Sequence, residues 1–170
     1  MPVSRSMTTL KVRWLDLTVV VVAAVAATGC GTTETTADVQ AQILLLQGDD
    51  EEGRWKALAT LRTMGPSGAA AVPQMRTMLK ATKDDVMRSE LARALGGVGS
   101  GAAPAVPDLV PQLDSKDPWV RTKTAEALGT IGAAAATALP KLTRLAKDPD
   151  PDVAASAREA AQRIQRAKMR

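Results

Sequence analysis

The sequence of 170 residues contains no His, no Tyr and no Phe, one Cys and three Trp. Without imidazole there is no Ser-His-Asp or Cys-His nucleophile machinery, no HExxH zinc site and no side chain that titrates near neutrality by default. A single thiol cannot close an internal disulfide, so bridges do not hold the fold together. With aromatics at 2% of residues, the core must come from Leu, Val, Ile, Met and Ala, which suits close-packed helices better than a sheet. No catalytic, metal-ligating or cofactor-binding constellation stands out, and the chain reads as a non-enzyme. Apolar residues make up 45% and charged residues 24%, the balance of one globular domain or of one repeat array behind a leader.

Residues 1–29 read as an export signal. Arg5, Lys11 and Arg13 supply a positive start, and the uncharged run from Leu17 to Ala27 is shorter than the about 20 residues a membrane-spanning helix needs. The run ends in Ala27-Thr28-Gly29-Cys30, which places the only thiol at its close. This resembles the lipobox of bacterial lipoproteins, although Ala27 stands where Leu is usual. The resemblance implies cleavage before Cys30, lipidation of its thiol and attachment to a membrane of the bacterial cell envelope. Residues 30–37 are then the lipidated Cys and a small, polar, flexible tether.

Beyond the tether the chain repeats. Stretches opening at Asp50, Asp84, Asp117 and Asp150 follow one another at spacings of 34, 33 and 33 residues. Arg54, Arg88 and Arg121 come four residues after the first three aspartates, and Ala154 takes that place in the fourth. Each of the first three units ends its first segment in Gly (Gly65, Gly99, Gly132) and then carries Ala-[Val/Leu]-Pro at Pro73, Pro107 and Pro140. The aspartate is suited to cap a helix and the glycine to stop it in the left-handed conformation. A second helix then starts near the proline, and Pro111 is expected to bend or shorten the middle one. The pattern predicts an all-α chain, an α-solenoid of stacked antiparallel helix pairs over 38–170. It comprises a capping helix over 38–48, units over about 49–83, 84–116 and 117–149, and a partial unit over 150–170.

Asp117-Pro118-Trp119-Val120-Arg121 with Ala127-Leu128-Gly129-Thr130-Ile131-Gly132 resembles the HEAT-like repeat family, in particular its short bacterial units. The resemblance implies that Asp50, Arg54, Asp84, Arg88, Asp117 and Arg121 form a structural ladder between neighbouring units. It also implies that the second helices line the face where protein partners bind, which makes Gln74, Arg76, Thr77, Lys80, Asp108, Gln112, Lys141 and Arg144 the candidate protein-binding residues. Trp55 and Trp119 are read as half-buried caps over neighbouring units. The carboxylate runs at 49–52 and 148–152 lack EF-hand spacing and read as solvated loops.

Net charge is +4. Much of it belongs to the leader and to Arg158, Arg163, Arg166, Lys168 and Arg170, so no basic face with stacking aromatics offers itself to nucleic acid. No small-molecule substrate is evident either. The expected function is an envelope-anchored scaffold for an unidentified protein partner, with the membrane reached through the lipid. The alternatives are an enzyme-associated chain, since the units look like those of bilin-chromophore lyases, and a purely structural envelope lipoprotein.

Overall fold

In the computed structural model, which describes residues 32–170, four aspartates open four long helices. Asp50, Asp84, Asp117 and Asp150 all have extended backbone dihedrals, and their carboxylates accept N–H groups of the first helical turn. The helices they cap are α2 (Glu51–Met64), α4 (Asp85–Val98), α6 (Pro118–Ile131) and α8 (Pro151–Lys168). Carboxylates belong there because they satisfy otherwise unpaired donors at the positive end of the helix dipole. The expected leader and Cys30 lie outside the described residues.

Each of the first three long helices ends at a glycine with positive φ. Gly65, Gly99 and Gly132 have φ of 59°, 67° and 80°, with ψ of −137°, −136° and −137°. The expected left-handed stop is therefore corrected: the ψ value is that of the first central residue of a type II′ turn, a region open to glycine and strained for other residues. The turn leads into a seven-residue 3₁₀ segment in every unit, at Gly65–Ala71, Gly99–Ala105 and Gly132–Ala138. Gly68 and Ala71, Ala102 and Ala105, and Ala135 and Ala138 are buried. That spacing of three is the 3₁₀ repeat, in which residues i and i+3 share a face, so a stripe of small side chains sits flush on the core.

The second helices are short and unequal: α3 (Val72–Ala81), α5 (Val106–Leu109) and α7 (Leu139–Leu145). Each begins with its proline in the first turn, where a missing N–H costs nothing. Pro111 converts the rest of the middle one into a 3₁₀ segment, Val110–Asp114, as its lost hydrogen bond requires. The helix before the first unit, α1 (Thr32–Gln47), starts six residues ahead of the expected capping helix and takes in most of the stretch read as a tether. Residues 32–37 contain neither Gly nor Pro, so nothing in them stops a helix from propagating.

The described residues form an all-α solenoid with one continuous core running from Val39 to Ile164. Its largest buried side chains include Leu58 and Leu61, Leu91 and Leu95, and Leu128 in the long helices, and Met75 and Leu79, Leu109 and Leu113, and Leu142 in the second ones. Stacking the units is what buries them, since one helix pair covers only one of its own faces.

Candidate functional site

The arginines that open the long helices bind loop backbone rather than the capping aspartates, and Arg88 also pairs with Asp85. Arg54 donates to the Gly48 carbonyl at 2.8 Å, Arg88 to that of Thr82 at 3.2 Å and Arg121 to that of Ser115 at 2.9 Å, each six residues back. They fasten α2, α4 and α6 to the loops that deliver them, while Asp50, Asp84 and Asp117 serve as caps. Of these three arginines, Arg121 alone also reaches a carboxylate in the loop that precedes the following long helix, donating to Asp148 at 2.9 and 3.1 Å. The corresponding loop positions before α4 and α6 are Thr82 and Ser115, which carry no charge. Burial alone would raise the Asp148 carboxyl, but the hydrogen bonds from Arg121 and the Asp150 N–H, with the Arg121 charge, outweigh it and hold the pKa low.

The second-helix face carries the charges that join unit to unit. Asp108 accepts Arg76 Nε at 2.5 Å and Lys80 Nζ at 3.1 Å. Asp114 accepts Arg144 Nη2 at 2.6 Å and is also ion-paired with Lys141, whose ammonium reaches the Val110 carbonyl at 3.3 Å. The two sets share a register with polarity reversed. Lys80 and Asp114 lie seven residues after Pro73 and Pro107, and their partners Asp108 and Lys141 follow directly after Pro107 and Pro140. Burial raises the Asp108 pKa, but Arg76 and Lys80 together more than reverse it. For Asp114 the Lys141 hydrogen bond is the largest influence and lowers it.

Of the eight candidate binding residues, Arg76, Lys80, Asp108, Lys141 and Arg144 thus take part in ion pairs between units. Thr77 donates to the Pro73 carbonyl of its own helix at 3.1 Å. Gln74 and Gln112 are partly exposed. Asp114, the hinge of the second ion-pair set, was not among the candidates. Its signal was available, because it occupies the same place after Pro107 as Lys80 does after Pro73.

Between the long helices run two open grooves. One of about 350 Å³, between α4 and α6, is lined by Arg62, Arg93, Lys123 and Glu126 over Gly96 and Gly97. The other, of about 340 Å³ between α6 and α8, is lined by Glu126, Ser156, Glu159 and Arg163. Their charges are largely mutual, with Lys123 on Glu126 at 2.9 Å and Arg163 on Glu159 at 2.6 Å. Among the described residues no group of three or more His, Cys, Asp or Glu is placed to hold a metal ion, and no helix is long and apolar enough to cross a membrane. Trp55 packs against the core as expected. Trp119 does not: its position on the exposed first turn of α6 leaves it 52% accessible.

With this geometry established, the repeats can be compared with known proteins. Residues 84–162 match the family described as HEAT repeats. The HEAT match covers the second and third units and most of α8. Two engineered proteins of solved structure share the fold, each 24% identical, with TM-scores of 0.63 and 0.60. The first alignment covers 80% of this chain and 68% of that one, the second 77% and 69%. Human deoxyhypusine hydroxylase, solved with glycerol, is 29% identical with a TM-score of 0.57. There the alignment covers 82% of this chain and 47% of the enzyme, so this chain spans about half the length of that relative. No curated protein matches the chain.

Proposed function

We propose that the chain is a HEAT-repeat interaction scaffold, held at a bacterial cell envelope by a lipid on Cys30, that binds a protein partner through its second-helix face. The observation that carries the binding face is the surplus of cations there. Arg76, Lys80, Lys141 and Arg144 share two carboxylates, and the side chains of Lys80 and Arg144 are 60% and 67% exposed. Exposed pairs of this kind contribute only about 0–1 kcal/mol, so acidic groups of a partner can take over their cations at little cost to the fold. Affinity capture from membranes with Lys80→Glu plus Arg144→Glu tests the face. Loss of partners with a melting curve lowered only slightly is expected, and an unchanged partner set sinks the assignment. The anchor is tested by metabolic labelling with a palmitate analogue, which Cys30→Ala should abolish.

A second reading, an enzyme-associated HEAT chain, is favoured by the likeness to deoxyhypusine hydroxylase. Hydroxylation of a deoxyhypusine-bearing substrate by the purified chain would establish it, and absence of turnover would leave the scaffold.

A further inference from the structure

Four exposed residues share one register on the loop edge of the solenoid. Glu52, Val86, Trp119 and Asp152 are each the second residue after a capping aspartate. Their N–H groups donate to that aspartate's Oδ1 at 3.2, 3.0, 2.7 and 2.9 Å respectively. Long helices of successive units stack side by side at about 8–10 Å, so the four form a row with an apolar centre and a carboxylate at each end. Val86 is 61% exposed, and Trp119 more than half. One face of the Trp119 ring lies 4.3 Å from Lys123 Nζ. Large exposed apolar side chains are scarce among the described residues, so two at one register on adjacent helices form a patch.

The chain itself carries the complement. Met169 is 80% exposed at the end of α8 and stands between Lys168 and Arg170, with Arg166 one turn before. A thioether packs well against an indole, and the three cations match the carboxylates beside the row. The tip cannot reach the row of its own copy. Arg121, near the start of α6, bonds Asp148 just before α8, and Gly129 lies against Ala160. Gly132, at the end of α6, lies against Ala167. The two helices therefore run alongside in the same direction, with the tip on the edge opposite Trp119. The 18 residues of α8 rise about 27 Å between those edges.

We propose that the tip of one copy, residues 166–170, docks on the Val86/Trp119 row of a second copy, with Met169 against the indole and the cations against Glu52 and Asp152. The contact joins different surfaces of the two copies, so it builds open chains or rings rather than closed two-fold dimers. It uses the loop edge and not the second-helix face, and its failure leaves the scaffold reading untouched.

The test is sedimentation velocity of the full chain in mild detergent, at rising concentration and at low and high salt, for wild type, Trp119→Ala and a chain lacking residues 166–170. Circular dichroism melts serve as the folding control, since Trp119 is exposed but the deletion also removes Ala167, which lies against Gly132. Wild type should associate in a salt-sensitive way and each variant alone should lose association. The two variants mixed should form dimers and nothing larger, because one keeps the tip and the other keeps the row. A monomeric wild type, association that survives loss of the tip, or a mixture that stays monomeric overturns the proposal. So does a monomeric wild type that binds phosphatidylserine vesicles through residues 166–170, which would assign the tip to lipid.

Discussion

Across the junction of α6 with α8, a Cβ added to Gly129 would meet Ala160 Cα at 2.9 Å, and the junction of α4 with α6 repeats the contact between Gly96 and Ala127 at the same distance. Across the junctions of the second helices nothing comparable occurs, and Asp108 and Asp114 hold two cations each. The long-helix layer is joined by backbone approaching backbone, the second-helix layer by charge. Helix length explains the division. Three of the long helices have 14 residues and the fourth 18, so they can align along their whole length. The second helices have 10, 4 and 7, too few turns for an extended seam. Long ionic side chains span such irregular gaps where short apolar ones leave voids.

The strongest way to break this contrast is Gly129→Leu, which forces α6 away from α8 and should lower the unfolding free energy by about 3 kcal/mol in urea titrations. Gly129→Ala sharpens the point: helix propensity alone favours Ala by about 1 kcal/mol, so a net loss of stability isolates the close contact. Next is Asp148→Ala. It strips Arg121 of its carboxylate at a site where the two side chains are only 14% and 7% exposed. Arg121 keeps the Ser115 and Lys116 carbonyls, so about 2 kcal/mol is expected by the same titration, below the usual cost of breaking a buried pair.

Asp108→Asn should cost about 1 kcal/mol at neutral pH, because its partners are partly exposed, and the cost should depend on pH. The folded pKa of Asp108 lies below its unfolded value, so the stabilisation is complete above the unfolded pKa of about 3.9 and is lost as pH falls through the folded one. Denaturant curves at neutral pH and in acid should show the wild-type advantage shrinking, while the Gly129→Leu deficit stays constant. The smallest effect has the opposite sign. The buried Thr124 hydroxyl in α6 has no hydrogen-bond partner, and Thr124→Val should raise stability by up to about 1 kcal/mol in thermal melts. A loss there would show that polar groups also support the long-helix layer.

Particular residues show why some of this was legible in the sequence and some was not. The caps at Asp84, Asp117 and Asp150, the glycine turns and the breaking effect of Pro111 are local: each follows from what one residue does to its own backbone. The ladder between units expected of Arg54 and Arg88 came from the family resemblance, whereas each guanidinium bends back six residues to a loop carbonyl. The ion pairs of Asp108 and Asp114 join residues 27 to 32 positions apart. Only the stacking distance and the tilt of neighbouring helices decide which side chain meets which. The 3₁₀ segments lay between these cases, since their period of three is written in Gly68, Ala71, Ala102 and Ala105 but has force only against a core.

The sequence by itself determined the all-α class, the capped starts and glycine stops of the long helices and the material of the core, because capping, turn geometry and the absence of Phe and Tyr act on the chain locally. The tertiary structure decided which charges are used up between units and which stay exposed. It also brought Val86 and Trp119 onto one edge and set the α8 tip on the other. Those outcomes depend on helices brought side by side from distant parts of the chain, and no local propensity encodes them.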